Sequence, residues 1–202
     1  VTVMLTLTSL SVGFLLGFPA GAIEVYGDGV LRRVVAVAGG LLRGTPIVVI
    51  LLVLFFVVSI SESAFITATV GLGLRSAAYQ AQLFRGALQS VDDGQLEAAR
   101  ATGMGKLQAI RHVVVPQALR RSMPGFQNEF TIVLKDTSIA FAIGLAELLT
   151  QGYNLFTQSG RSTAVLEVFL VISAVYFVLT FLTNRGLDRV SDYYAIPAGE
   201  NR

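Results

Sequence analysis

The stretch Gly44-TPIVVILLVLFFVVS-Ile60 contains no charged side chain, and its centre, LLVLFFVV from Leu51 to Val58, is wholly aliphatic or aromatic. A run this apolar is out of place on a water-facing helix. A bilayer core of about 30 Å, by contrast, accepts about 20 such residues as one spanning helix. Four further windows emerge on either side of it. Val1–Ile23 is uncharged; Ala64–Phe84 is interrupted by Arg75; Phe126–Leu149 contains Glu129, Lys135, Asp136 and Glu147; and Ala164–Thr183 carries only Glu167 before the polar pair Asn184, Arg185. The sequence therefore predicts an all-α polytopic membrane protein with five transmembrane helices, forming one domain over residues 1–202. The first window lacks a basic n-region and a small-residue cleavage site, so it reads as a retained span rather than a signal peptide.

Composition agrees. Of the 202 residues 53% are hydrophobic and only 14% charged, with a mean hydropathy of +0.68, which is too apolar for an ordinary soluble domain. The formal net charge is +2, and the 15 basic residues are scattered among apolar runs, which argues against a nucleic-acid partner. There is no cysteine and a single histidine, His112, so disulfides, thiolate chemistry and a histidine metal cluster are excluded. No catalytic residue is expected.

Positive charge resists translocation during insertion and collects on the cytoplasmic side. Arg32, Arg33 and Arg43 lie between the first and second windows, and Arg85, Arg100, Lys106, Arg111, Arg120 and Arg121 between the third and fourth. Arg185, Arg189 and Arg202 follow the fifth, while the alternate loops, around Ser61–Ser63 and Gln151–Thr163, hold only Arg161. This predicts an outside N-terminus and a cytoplasmic C-terminus. It also makes residues 85–124 the one substantial cytoplasmic segment.

That segment includes Ser90-VDDGQLEAARATGMGKLQAIRHVVV-Pro116. Asp92 and Asp93 suit a helix N-terminus near Gly94, and Gln95–Ala101 are strong helix formers. Gly103 and Gly105 should break the helix, Lys106–Val115 can form a second stretch, and Pro116 should bend the chain toward the fourth window. A lone Glu-Ala-Ala is commonplace on solvated helices. Here the glycine, the proline and the basic setting between two spans agree with it.

Glu97, Ala98, Ala99, Gly103 and Pro116 stand in the register of the Glu-Ala-Ala motif of inner-membrane subunits of binding-protein-dependent ABC importers, and the chain resembles that family. Val113 and Val115 stand where the family usually has Ile and Leu. The resemblance narrows to the polar amino acid branch through Arg43-Gly-Thr-Pro46, Ser76-Ala-Ala-Tyr79 with Phe84-Arg-Gly86, and Lys135-Asp-Thr-Ser138.

The resemblance implies a type I importer permease of the prokaryotic inner membrane, paired with an identical or related permease subunit. ATP and magnesium would bind separate ATPase subunits, and an extracytoplasmic binding protein would deliver a polar amino acid. The segment Gln95, Glu97, Ala98, Ala99, Arg100, Ala101, Thr102, Gly103, Met104 would be the coupling helix that docks on the ATPase. Consistently, the sequence contains no Gly-x-x-x-x-Gly-Lys-Ser/Thr loop of its own.

Charges inside a span need partners or water. Arg75, Tyr79, Gln82, Glu129, Lys135, Asp136, Thr137 and Ser138 are therefore expected at the pathway, a gate or the subunit interface. Adjacent Lys135 and Asp136 diverge by about 100° on a helix and should find different partners. The family often has Asn where Arg75 stands and Glu where Gln82 stands. Both differences make the pathway more positive and would suit neutral or acidic cargo, with Arg75 meeting a carboxylate of the cargo or of a partner subunit. The competing reading is an ion-coupled carrier or channel relaying protons through Glu129, Lys135 and Asp136. A protruding Glu-Ala-Ala helix has no use in such a carrier. An intramembrane enzyme lacks support, since neither His-Glu-x-x-His nor Gly-x-Ser-x-Gly occurs. An opine or sulfur amino acid remains an alternative cargo.

Overall fold

A computed structural model describes residues 1–158 and 165–194, and among them every regular element is helical. The helices are α1 (Thr2–Tyr26), α2 (Gly29–Gly44), α3 (Ile47–Leu52), α4 (Ala64–Gln89), α5 (Asp93–Ala101), α6 (Lys106–Ala109), α7 (Val115–Asp136), α8 (Leu148–Gln158) and α9 (Val165–Tyr194).

The centre of the fold is the pairing of α1 with α4. Ser9, Gly13, Gly17 and Gly21 recur every fourth residue, so they line one face of α1. A Cβ at Gly17 would sit 2.8 Å from the Ala77 carbonyl oxygen, and one at Gly21 would sit 2.7 Å from that of Ala81. Only hydrogen fits there. Small residues on an apolar helix permit this backbone approach, which replaces the hydrophobic drive that lipid cannot supply. Phe84 of α4 is wholly buried and meets Phe18 at 4.9 Å and Phe126 at 4.8 Å between ring centroids, which brings α7 against the same pair.

The expected windows and the observed helices differ in several places. Helix α2 occupies residues that the sequence reading left as a loop. It is amphipathic, none of its residues is buried, and it turns by 104° into the apolar segment Ile47–Val57. Thr45 and Pro46 make that bend, because the residue before a proline is driven out of helical geometry and Thr45 has φ −95° and ψ 129°. The second apolar window is thus helical from Ile47, with a π-helical turn at Val53–Val57. The third continues beyond Phe84 to Gln89.

Pro116 does not interrupt the helix. Residues 106–136 are helical throughout, and a π-helical turn at Ile110–Val114 lets Val115 N–H bond to Ile110 five residues back. The wider turn makes room for a proline in the first turn of α7, where its missing N–H costs little. The fourth window is not one helix either. Helix α7 ends at Asp136, a 3₁₀ segment covers Thr137–Ile143, Gly144 is left-handed at φ 78°, and α8 starts at Leu148. The hydroxyls of Thr137 and Ser138 donate to Leu134 O and Lys135 O, each at 2.7 Å, and tighten the end of α7. The last window begins helically at Val165 and runs on to Tyr194. Residues 159–164, which include Arg161 and Ala164, lie outside the described residues, whereas residues 151–158 of the expected loop belong to α8.

Among the described residues, two helices are long and apolar enough to cross a bilayer alone: Thr2–Tyr26 at hydropathy 1.7 and Val165–Asp192 at 2.5. The bent pair Gly29–Gly44 and Ile47–Val57 makes a third only if counted as one span. Helices α4 and α7 fall short because they carry polar side chains, and these turn toward each other, as Ser76 toward Glu129 and Arg75 toward Asp136. Length and composition therefore do not by themselves reach the expected count of five.

Candidate functional site: a water-facing helix and a polar seam

Helix α5 starts at Asp93, one residue earlier than expected, and the carboxylate of Asp92 caps it by accepting from Gly94 N at 2.8 Å. Gly103 ends the turn that follows at φ 90°, a left-handed conformation that favours glycine, and Gly105 caps α6. Gln95, Glu97, Ala98, Arg100, Ala101, Thr102 and Gly103 are exposed, Met104 is half-buried, and Ala99 is buried. Ala99 is therefore part of the core, whereas Glu97, Ala98 and Ala101 present a charged and small-residue surface to water.

The helix is braced from behind. Arg121 of α7 donates to the Ser90 carbonyl and to Ser90 Oγ, and Gln117 donates to Gln95 at 3.4 Å. Ala87, Leu88, Val91, Val114 and Ala118 form a buried cluster against which Tyr26 and Leu96 pack. This cluster joins the ends of α1 and α4 to α5 and the start of α7. Helix α5 therefore shares one buried cluster with three longer helices.

The polar residues expected along the pathway separate into distinct groups. Arg75 is ion-paired with Asp136 of its own chain, and its guanidinium carbon lies 4.9 Å from the centre of the Tyr79 ring. Glu129 is buried and accepts from Ser76 Oγ at 2.8 Å, and Ser76 in turn accepts from Gln80 at 3.0 Å. Lys135 is exposed and, with Ser138, Tyr176 and Thr180, lines a hollow of about 490 Å³ between the end of α7 and α9. The Thr180 hydroxyl is buried without a hydrogen-bond partner. Lys135 and Asp136 thus diverge, as their adjacency requires. Thr137 is buried at the end of α7. Gln82 stands apart from all of these and donates to Glu24 at 3.1 Å.

Three features were missed by the sequence reading. The first is the small-residue face of α1, whose four-residue spacing was visible. The second is Glu24, 2% exposed at the end of α1, which takes bonds from Arg85 and Gln82; an acid closing an otherwise uncharged window was the available signal. The third is Glu147, which accepts from the backbone N–H groups of Leu149 and Thr150 at 2.9 and 2.8 Å and from Tyr176 Oη at 2.9 Å. Nothing in the sequence pointed to its partner on α9.

Comparison with known proteins places this arrangement. Residues 13–191 match the family model described as binding-protein-dependent transport system inner membrane component. The chain is 40% identical over 146 residues to the probable amino-acid permease protein YxeN of Bacillus subtilis, covering 69% of this chain and 64% of that protein. It is 32% identical to the glutamine transport system permease protein GlnP of Escherichia coli, covering 94% and 87% of the two chains. A crystal structure of an amino acid ABC transporter with histidines superposes with a TM-score of 0.85 at 31% identity, over 95% of this chain and 90% of that one. The MetNI methionine ABC transporter in an inward-facing form shares the fold, with a TM-score of 0.81 at 22% identity over 96% of this chain and 93% of that one. The fold is that of a type I ABC importer permease, and the chain belongs to the family of binding-protein-dependent transport system inner membrane components.

Proposed function

We propose that this chain is the permease subunit of an ATP-driven importer of polar amino acids in a prokaryotic inner membrane. It pairs with a second permease subunit, and it takes up cargo from an extracytoplasmic binding protein. Two separate ATPase subunits, which hold ATP and magnesium, dock below it. The N-terminus lies outside and the C-terminus inside, with α4 and α7 crossing the bilayer as members of a five-helix domain.

The observation that carries this reading is helix α5: capped, exposed at Glu97, Ala98 and Ala101, and tied through Ser90 and Gln95 to α7. Segment Gln95–Met104 receives the ATPase, with Glu97 as a charged contact and the alanines permitting close approach. ATPase closure moves α5, and the buried cluster behind it passes the motion to α1, α4 and α7. The route then opens outward and the binding protein gives up its ligand.

Arg75, Tyr79, Gln82, Glu129, Lys135, Asp136, Thr137 and Ser138 line the pathway or gate. Charge supports neutral or acidic cargo. Asp136 is held by Arg75, Glu129 by Ser76, and Glu24 by Arg85 and Gln82, whereas Lys135 faces an open hollow. The test is uptake competition in cells that carry the complete importer. Glutamine or glutamate should displace labelled cargo far better than arginine, and Lys135→Gln should narrow that preference. Equal competition by all three in the parent would overturn the cargo assignment.

A further inference from the structure

Leu107 is 79% exposed, and among the described residues no large apolar side chain is more so. Its setting is polar: it is the one exposed large apolar side chain described between residues 90 and 124. Ala109, two residues on, is completely buried. Two helical residues turn the side chain by about 200°, so Leu107 points away from the body of the protein.

The polar setting disfavours a lipid cover. Val114 belongs to the cluster at the inner ends of α1 and α4, and Leu107 precedes Val114 by seven residues, or about 10 Å along a helix. Leu107 therefore projects beyond those helix ends into the aqueous region. It follows α5 in the same loop: Ala98 and Ala101 are exposed on α5 and Leu107 on α6, on the two sides of the Gly103 turn.

From this placement, and resting on the reading of α5 as the ATPase contact, we infer that Leu107 is a second anchor for the ATPase subunit, inserted into an apolar socket beside the one that receives α5. Arg100, Lys106 and Arg111 are exposed in the same loop, so the rim of that socket carries carboxylates. A single apolar side chain entering a desolvated pocket is the kind of contact that dominates an interface otherwise made of small and polar groups. The two anchors lie on either side of a glycine turn, so the ATPase grips the loop at two places and can rotate it as well as push it.

The test uses the assembled importer. Leu107→Ser should weaken retention of the ATPase subunit on the purified permease about five- to tenfold, and Leu107→Met should retain it, at unchanged permease abundance in the membrane. Because the chain contains no cysteine, Leu107→Cys gives an independent readout. A membrane-impermeant maleimide should label it at least about tenfold more slowly in the assembled complex than in membranes stripped of ATPase. Full retention with Leu107→Ser, or equal labelling in both states, while Glu97→Arg still releases the ATPase, would overturn the second anchor and leave the docking role of α5 standing. If Glu97→Arg also leaves retention unchanged, the docking role falls as well.

Discussion

Arg85 of α4 donates to the buried carboxylate of Glu24 on α1 at 3.1 Å, and Gln82, nearly one turn earlier on α4, donates to the same carboxylate. The pair closes the end of the α1–α4 interface, five residues before the loop that leads into α5. A carboxylate that is 2% exposed depends on these donors, and a hydrogen bond to a charged group is worth about 1.5–3 kcal/mol. Arg85 is itself 38% exposed, so water relieves part of its own loss.

Arg85→Ala should therefore lower the thermal midpoint of the detergent-solubilised complex, and Arg85→Ala with Glu24→Gln should recover part of it, since the double variant leaves no unpaired buried charge. Additive losses in the double variant would show that the two side chains act independently.

Gly17 and Gly40 give a matched pair. Gly17→Leu forces a side chain into the Ala77 carbonyl, whereas a Cβ at Gly40 meets nothing within 4 Å. Quantitative blotting of membranes should find Gly17→Leu reduced several-fold and Gly40→Ala at parental abundance. Normal accumulation of Gly17→Leu would contradict the close α1–α4 packing.

At the Arg75–Asp136 pair, removal of one partner strands a charge among helices. Arg75→Met is expected to lower the yield of monodisperse protein in size-exclusion chromatography, and Arg75→Met with Asp136→Leu to restore most of it. Because both residues belong to the proposed gate, uptake should stay impaired in the double variant. Restored yield together with restored uptake would remove the pair from the transport pathway.

Glu147 caps α8 and holds Tyr176 of α9, so Glu147→Ala strips two N-terminal amides of their acceptor. Loss of a helix cap costs about 0.5–2 kcal/mol. A lower thermal midpoint for Glu147→Ala, with a smaller effect for Glu147→Gln, is the expected outcome in a melting series.

Much of this was legible in sequence because it depends on local chemistry. Asp92, the helix formers Gln95–Ala101 and Gly103 specify a capped helix and its end without help from distant residues. The apolar windows specified α1 and α9 for the same reason. Helix α2 was not read because Arg32 and Arg33 make it look like a connecting loop; its amphipathic period of 3.6 was the overlooked signal. The break after Asp136 was hidden because Ser, Thr and small apolar residues are acceptable in a spanning helix, and the 3₁₀ turn follows from hydroxyl–carbonyl bonds made only on folding. Pairings such as Arg75 with Asp136, or Glu147 with Tyr176, join residues far apart in the chain. No spacing rule in a single sequence encodes them.

The most direct test is transport by the permease reconstituted into liposomes with its ATPase subunits and binding protein, in parent form and with Glu97→Arg. Labelled amino acid should accumulate only when ATP is supplied to the ATPase side, and Glu97→Arg should reduce that accumulation at least about tenfold. Accumulation by the permease without ATPase or ATP, or full ATP-driven accumulation by Glu97→Arg, would contradict the account.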